Sequence, residues 1–191
     1  MKARESGMPD ESMWAGFFNP TGALAELALT QTSGDVLDFG CGYGTFALPA
    51  AAIISPSIVH AIDIDTEMVR RVMEKAEVQG SSNLRVVQRD FIATGSGLPD
   101  GSIGYVTLFN ILHAENPMVL LNESRRVLTE NGVLAIMHWK YDSKTPRGPS
   151  MNIRPKPAQC RTWAFRAGFA QFGAELIDLP PYHYGMTFRT S

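Results

Sequence analysis

Glycine recurs at every second position in one short segment of this chain, directly after a run of apolar residues. The segment reads VLDFGCGYG over residues 36–44. Glycine lacks the β-carbon that would hold a ligand away from the backbone, so we expect a ligand to approach closely at Gly40 and Gly42. The N–H groups at the start of a following helix would suit a carboxylate or a phosphate. The segment therefore predicts a binding site where a strand turns into a helix.

A second apolar run, VHAID over residues 59–63, ends in an acid that lies 23 residues after Gly40. In a doubly wound sheet, a carboxylate at this place accepts hydrogen bonds from both hydroxyls of a ribose. A dinucleotide fingerprint would need a third glycine at position 45, where the chain has Thr45. This mismatch counts against a nicotinamide-dependent dehydrogenase. Asp38, two positions before the first glycine, would instead suit a ligand that carries an ammonium and a sulfonium.

The pattern acid-x-Gly-x-Gly-x-Gly resembles the S-adenosylmethionine (SAM) binding motif of class I methyltransferases. From about Asp35 to Trp139 the chain resembles the small methyltransferases grouped with the menaquinone and ubiquinone biosynthesis enzymes (methyltransferase type 11). This resemblance implies SAM as the cofactor and methyl transfer as the activity. A SAM-binding protein without catalysis would keep the same binding features, so that alternative stays open.

The resemblance also implies which residues hold SAM. Asp38 and the glycine turn would hold the methionine part, and Asp63 would hold the ribose. Asp90 would accept a hydrogen bond from the exocyclic amine of adenine, although it could also be an ordinary turn residue. The full implied set is Asp38, Gly40, Cys41, Gly42, Asp63, Ile64, Asp90, Phe91 and Asn110. Ile64 and Phe91 are equally compatible with ordinary core packing.

One histidine follows the fourth predicted strand and another lies at the end of the fifth, where reacting groups gather in open α/β sheets. His113 is the first candidate for contacting the acceptor or acting as a base, and His138 is the second. A hydrogen-bonded structural histidine is an equally good interpretation of either. Methyl transfer is an in-line displacement, so a base matters only when the acceptor must lose a proton. The two cysteines, Cys41 and Cys160, lie in no metal-ligand spacing, and no metal is expected.

Short β-branched or apolar runs alternate with longer helical stretches, which predicts one α/β domain over residues 1–191 with a Rossmann-like doubly wound sheet. The sheet should be mostly parallel with an antiparallel last strand. Strands are expected at residues 35–39, 58–63, 84–88, 104–109, 133–139, 174–179 and 183–189, and helices at residues 66–79, 117–128 and 158–167. Pro49 conflicts with a helix directly after Gly44, so we expect a kink or a late helix start there.

Two segments flank the predicted sheet and could face a substrate. Residues 1–30 are expected to form a helical lid, in which Trp14, Phe17 and Phe18 either face the sulfonium or pack within the protein. Residues 140–157 are too rich in proline for a helix or a central strand, so we expect a loop on the substrate side.

The net charge of −2 gives no reason to expect a polyanionic partner such as nucleic acid. Bases are nevertheless concentrated between Lys140 and Arg166, with Asp142 as the one acid. That segment would suit a small anionic acceptor, with Arg147 and Arg154 as contacts, although a solvated surface explains it equally well. No apolar stretch long enough to span a bilayer and no secretion signal are visible, so we expect a soluble, cytoplasmic protein.

One motif is rejected. The segment DLPPY over residues 178–182 is similar to the Asp/Asn-Pro-Pro-aromatic signature with which some methyltransferases hold an amine. That signature should follow the fourth strand, so Pro180 and Pro181 are expected to turn the chain between its last two strands.

Overall fold

The computed structural model describes residues 9–190, so the first eight residues of the predicted lid lie outside the described part. Seven strands form one sheet in the order β3-β2-β1-β4-β5-β7-β6. β7 runs antiparallel to its neighbours β5 and β6, and the other pairs are parallel. The predicted sheet is thereby confirmed. The strands are β1 Val36–Phe39, β2 Val59–Asp63, β3 Leu84–Gln88, β4 Ile103–Phe109, β5 Leu128–Trp139, β6 Phe169–Leu179 and β7 His183–Thr190.

Helices cover both faces of the sheet. They are α1 Glu11–Ala15, α2 Pro20–Glu26, α3 Ala47–Ile54, α4 Thr66–Gln79, α5 Phe91–Thr94, α6 Pro117–Val127 and α7 Pro157–Arg166. One core joins α2, α3 and α4 to strand residues such as Val36, and the second joins α6 and α7 to alternate strand residues such as Leu37. Because β1 is buried on both faces, it reads as a continuous apolar run.

The start of α4 is fixed by an acid two residues after the end of β2. Asp65 Oδ1 accepts from the N–H groups of Glu67 and Met68 at 2.8 and 3.4 Å, and Gly80 ends the helix with φ of +66°. Asp65 is therefore the N-cap of α4, and the neighbouring Asp63 is the acid that remains available at the end of β2.

The conflict at Pro49 is resolved by a late helix start. α3 begins at Ala47, which places Pro49 in the first turn. N–H groups of a first turn have no partner within the helix, so proline costs no hydrogen bond there. The predicted late start is confirmed.

The short helix α5 was not predicted, α1 and α2 lie within the segment that was expected to be helical, and β5 and β6 begin earlier than expected. β6 lies at the edge of the sheet, and its register against β7 shifts between Phe172 and Ile177. Gly173 lies in this bulge with φ of +72°. The bulge interrupts the alternation of apolar and polar residues by which a strand is recognised. No helix within residues 9–190 combines the length and the apolar character that a membrane span requires.

Candidate functional site

The glycine turn after β1 is fixed by hydrogen bonds to the end of β2. The N–H groups of Gly40 and Cys41 both donate to the Ile62 carbonyl, at 2.8 and 3.1 Å. Gly40 has φ of +69°, and a β-carbon there would lie 2.8 Å from Ile111 Cδ1. These amides are engaged within the protein, so the turn offers a ligand close approach to its main chain more than free N–H donors.

Asp63 is buried at the end of β2 and joins the turn to α4. Its Oδ2 accepts from the Gly42 N–H at 2.8 Å, and its Oδ1 accepts from the Asp65 N–H at 3.0 Å. Burial raises the pKa of this carboxyl, and the two backbone hydrogen bonds act in the opposite direction. A carboxylate has about four acceptor positions, so roughly two remain for a ligand diol.

Asp38 lies on β1 beside β4, and only 4% of it is exposed. Its Oδ1 accepts from the Thr107 hydroxyl at 2.6 Å. Burial raises the pKa of Asp38 to about 7, the Thr107 hydrogen bond lowers it, and the nearby Asp63 carboxylate raises it. A cationic group of a ligand would stabilise the ionised form, so Asp38 has the chemistry of an ammonium-binding residue.

The three residues predicted around adenine lie at the ends of β2 and β3. Asp90 is the N-cap of α5, where its Oδ1 accepts from the Ala93 N–H at 3.0 Å. Phe91 is almost fully buried and packs edge-on against Phe39, with ring centroids 5.4 Å apart. Ile64 is half-buried directly after Asp63. Within the protein Asp90 thus acts as a helix cap and Phe91 as a core residue, and contact of either with adenine stays a prediction.

The predicted acceptor residues come together at the ends of β4 and β5. The rings of His113 and His138 are nearly perpendicular, with centroids 5.7 Å apart. Asn110 precedes them in the left-handed region at φ of +55°, and its N–H donates to the Met137 carbonyl at 2.8 Å. We call Asn110, His113 and His138 the acceptor-side cluster. Of the eight buried side-chain polar atoms without a hydrogen-bond partner among residues 9–190, five belong to this cluster.

Burial favours the neutral form of both histidines of the cluster. Burial is the main reason why the pKa of His113 falls to about 4 and that of His138 falls well below its ordinary value. His113, His183 and Arg154 depress the pKa of His138 further. A neutral imidazole has one N–H donor and one acceptor nitrogen, so the cluster presents both donors and acceptors without a net charge.

The N-terminal segment is attached to the glycine turn. The Tyr43 hydroxyl donates to the Pro9 carbonyl at 2.9 Å, and Trp14 Nε1 donates to the Thr45 hydroxyl at 3.1 Å. Lys75 on α4 forms an ion pair with Glu11. The predicted lid aromatics, Trp14, Phe17 and Phe18, contact one another and the ring of Trp139. Packing within the protein therefore accounts for these rings in the described part.

The predicted loop follows β5, and Arg154 organises it. The guanidinium donates to the carbonyls of Lys140, Asp142, Arg147 and Pro149 and to the Thr145 hydroxyl. All three of its nitrogens are engaged by these contacts. The expectation that Arg154 contacts an anionic acceptor is thus wrong, because the loop itself uses its donors.

Within residues 9–190, no group of three or more histidine, cysteine or acidic side chains is arranged to hold a metal ion. The residues described above form a candidate site with two parts, both at the carboxyl ends of the parallel strands. One is acidic and follows β1 and β2, and the other is the neutral acceptor-side cluster.

Comparison with known proteins gives this site a chemical context. The family model described as "Methyltransferase domain" matches residues 36–132. Aklanonic acid methyltransferase from Streptomyces sp. (strain C5) is 35% identical over 92 residues, covering 47% of this chain and 41% of that protein. Ribosomal protein L11 methyltransferase from Methylococcus capsulatus is 36% identical over 91 residues, covering 48% of this chain and 28% of that protein. The matches thus span less than half the length of these curated relatives.

The fold also has a solved counterpart. A SAM-dependent methyltransferase from Aquifex aeolicus superposes with a TM-score of 0.82 over 95% of this chain and 94% of that chain, at 24% identity. At this identity the likeness establishes the fold alone, and the chemistry must be argued from the residues described above.

Proposed function

Because the chain belongs to the methyltransferase-domain family, whose methyl donor in this fold is SAM, we propose that it transfers the methyl group of SAM to a small-molecule acceptor. The observation that carries the proposal is the pair of buried acids, Asp38 and Asp63, on either side of the glycine turn. Two buried carboxylates close together suit a ligand with both a cation and hydroxyl groups, and SAM has both.

The residues of the acidic part fit SAM group by group. Asp38 holds the ammonium of the methionine part, and the main chain at Gly40, Cys41 and Gly42 lets that part lie close to the turn. Asp63 accepts from the ribose hydroxyls with the acceptor positions that Gly42 and Asp65 leave. Ile64, Asp90 and Phe91 line the adenine side, and Asn110 borders the methyl group. SAM supplies an electrophilic methyl on its sulfonium.

The acceptor-side cluster binds the second substrate. His113 and His138 lie at the ends of β4 and β5, where they would face the methyl group of bound SAM. Holding the donor and the acceptor close and aligned can lower the reaction barrier by roughly 7 to 11 kcal/mol. The side chains of the cluster are buried or half-buried, which suits a small molecule better than an extended polymer. Both cysteines are buried and unpaired, which supports a cytoplasmic location.

Calorimetric titration tests the donor site. We expect the protein to bind SAM and S-adenosylhomocysteine and not NAD. Asp63→Ala should weaken SAM binding by about 1.5 to 3 kcal/mol, because charged hydrogen bonds to the ribose are lost. Asp178→Ala, which removes a largely exposed acid on β6, is the matched control and should bind SAM like the parent protein.

Three outcomes would contradict all or part of the proposal. Binding of NAD alone would assign the chain to another nucleotide chemistry. Unchanged SAM affinity in folded Asp63→Ala would remove Asp63 from the site. SAM binding without turnover over a broad acceptor panel would instead favour a non-catalytic SAM-binding protein.

A further inference from the structure

The side chain of Asp38 has a single hydroxyl as its hydrogen-bonding neighbour within the protein. Its register partners are Ala61 on β2 and Thr107 on β4. The helix α3 lies on the same face of the sheet and carries no titratable side chain. Within residues 9–190, the Thr107 hydroxyl is the one hydrogen-bond donor to the Asp38 carboxyl, and Thr107 itself is 1% exposed. The two residues therefore form a buried polar pair beside a hydrophobic core.

The geometry of this pair favours a charged carboxylate. The two oxygens are 2.6 Å apart, a distance typical of a hydroxyl that donates to an ionised acceptor. The same hydroxyl lies 3.4 Å from the Leu37 carbonyl, which is a longer and weaker alternative. The proton of Thr107 thus stabilises the charged form of an acid that burial alone would neutralise.

The two oxygens of the Asp38 carboxyl have different surroundings. Oδ1 is bound by Thr107, whereas Oδ2 accepts no hydrogen bond within the described part of the chain. Oδ2 is nevertheless not one of the enclosed polar atoms without a partner, so the small exposed part of Asp38 includes it. The χ2 angle of aspartate is broad and roughly two-fold, so the rotamer alone does not determine which oxygen faces outward. The hydrogen bond from Thr107 determines it.

The other titratable groups near Asp38 do not stabilise its charge. The carboxylate of Asp63, at the end of β2, disfavours a second negative charge. Cys41 in the glycine turn remains a neutral thiol, because burial and the two acids raise its pKa well above its ordinary value. Burial also raises the pKa of Tyr105, which lies two residues before Thr107 on β4. Thr107 is therefore the group among residues 9–190 that opposes the effect of burial on Asp38.

We propose that Thr107 is a positioning residue for the methyl donor, whose hydroxyl fixes Oδ1 of Asp38 and leaves the ionised Oδ2 for the ammonium of SAM. This inference rests on the proposed function and adds a residue on β4 to the acidic part of the site. Thr107 makes no contact with SAM and acts through Asp38. Because β4 also leads to Asn110, three residues further on, one strand contributes to both parts of the site.

Calorimetric titration with S-adenosylhomocysteine, which keeps the ammonium, tests this role at pH 6 and pH 8. Thr107→Val removes the hydroxyl at nearly constant volume. We expect it to bind about ten- to a hundredfold more weakly than the parent protein at pH 6, as for a lost hydrogen bond to a charged group. By proton linkage at one site, this defect should shrink about five- to tenfold at pH 8. Each ratio is taken at one pH, so ionisation of the ligand cancels.

Two further variants distinguish positioning from a merely structural role. Thr107→Ser keeps the hydroxyl and should bind S-adenosylhomocysteine nearly as the parent protein does at both pH values. Thr187→Val removes another buried hydroxyl from the same row of the sheet, which Ala135 connects to Thr107. The Thr187 hydroxyl donates to the Phe172 carbonyl. Thr187→Val should therefore lower Tm and leave the affinity at both pH values unchanged.

A double-mutant cycle tests whether the hydroxyl acts through Asp38. In the Asp38→Asn background, adding Thr107→Val should change the affinity for S-adenosylhomocysteine by no more than about twofold, because no carboxylate charge remains to be stabilised. If Thr107→Val does not fold, Thr107→Ala replaces it in both measurements, since alanine also lacks the hydroxyl.

The possible failures can be told apart. Parent-like binding by Thr107→Val, a defect of equal size at pH 6 and pH 8, or a defect that persists in full in Asp38→Asn would each overturn the inference. In these cases the parent protein still binds SAM, and the proposed function stands. If the parent protein binds neither SAM nor S-adenosylhomocysteine, the proposed function fails and this inference fails with it.

Discussion

The two parts of the binding edge satisfy their polar groups in different ways. On β1 and β2, Asp38 and Asp63 accept hydrogen bonds within the protein from Thr107, Gly42 and Asp65. Behind β4 and β5, the side chains of the acceptor-side cluster include five buried atoms without a protein partner. The acids are therefore held in place by hydrogen bonds within the protein, whereas these acceptor-side atoms have no such partner.

This difference distinguishes polar groups that the fold itself satisfies from polar groups that a substrate would have to satisfy. The acids of the proposed donor site are positioned by hydrogen bonds within the protein. The groups without a protein partner lie in the acceptor-side cluster, and we expect specificity for the acceptor to depend on them. Burial also acts in opposite directions on the two parts, because it raises the pKa of the acids and lowers that of the histidines.

The largest expected effect concerns how stability depends on pH without ligand. Below pH 6.5 an unfolded histidine binds a proton that buried His138 does not. The free energy of unfolding therefore decreases as the pH is lowered, by about 1.4 kcal/mol per pH unit for each such residue. Asp38 has the opposite sign, because between its unfolded pKa and about 7 the folded form binds the extra proton. His138→Phe should therefore make the acid loss of stability shallower, and Asp38→Asn should make it steeper.

Urea unfolding at several values between pH 4.5 and 6.5 measures these slopes. The His60→Gln variant is the control, since its imidazole is not part of the acceptor-side cluster. Slopes that change in the same direction for His138→Phe and Asp38→Asn would refute the contrast between the two parts.

A smaller effect is expected where the two parts touch. In Gly40→Ala, a residue with a β-carbon would have to adopt φ of +69° and would meet Ile111 Cδ1 at 2.8 Å. We expect a loss of about 1 to 3 kcal/mol, of which the backbone accounts for about 1 to 2. Gly80→Ala has a similar φ of +66° with open space around it, so it reports the backbone cost alone.

Thermal unfolding of the two variants isolates the contact with Ile111. Each kcal/mol corresponds to roughly 2 to 4 °C in Tm for a domain of this size. Equal losses in Gly40→Ala and Gly80→Ala would mean that the turn and the segment after β4 are not coupled by packing.

The smallest effect concerns donor binding. SAM brings a cation that favours ionised Asp38, and the pKa of about 7 means that this acid is mostly protonated at pH 6 in the free protein. SAM affinity should rise about tenfold between pH 6 and pH 8, by proton linkage at one site. Calorimetry should show no such rise in Asp38→Asn. A flat profile in the parent protein would separate Asp38 from the ammonium.

The order of the elements and the place of the site could be predicted because they depend on local signals. Glycine spacing, a strand-end acid and a helix cap can each be recognised from a few neighbouring residues. The helix α4 was predicted with the bounds that the structure shows. Residues 140–157 were also predicted as a loop, since proline and glycine act locally.

The remainder depends on contacts between residues far apart in the chain. Nothing near Arg154 indicates that five groups of its own loop would surround it, so the sequence suggested a substrate contact. The attachment of Trp14 to Thr45 joins residues 31 positions apart and was likewise invisible. The bulge in β6 hid the start of that strand, because its pairing with β7 decides where it begins.

The inward guanidinium of Arg154 has a consequence for how this protein can diversify. It binds the main chain of its loop, and a carbonyl is the same whichever side chain accompanies it. Outward residues of the segment, such as Tyr141 and Lys144, can therefore be exchanged while the path of the chain is kept. Selection, or an engineer, could retune this rim by point changes and leave the scaffold beneath it intact.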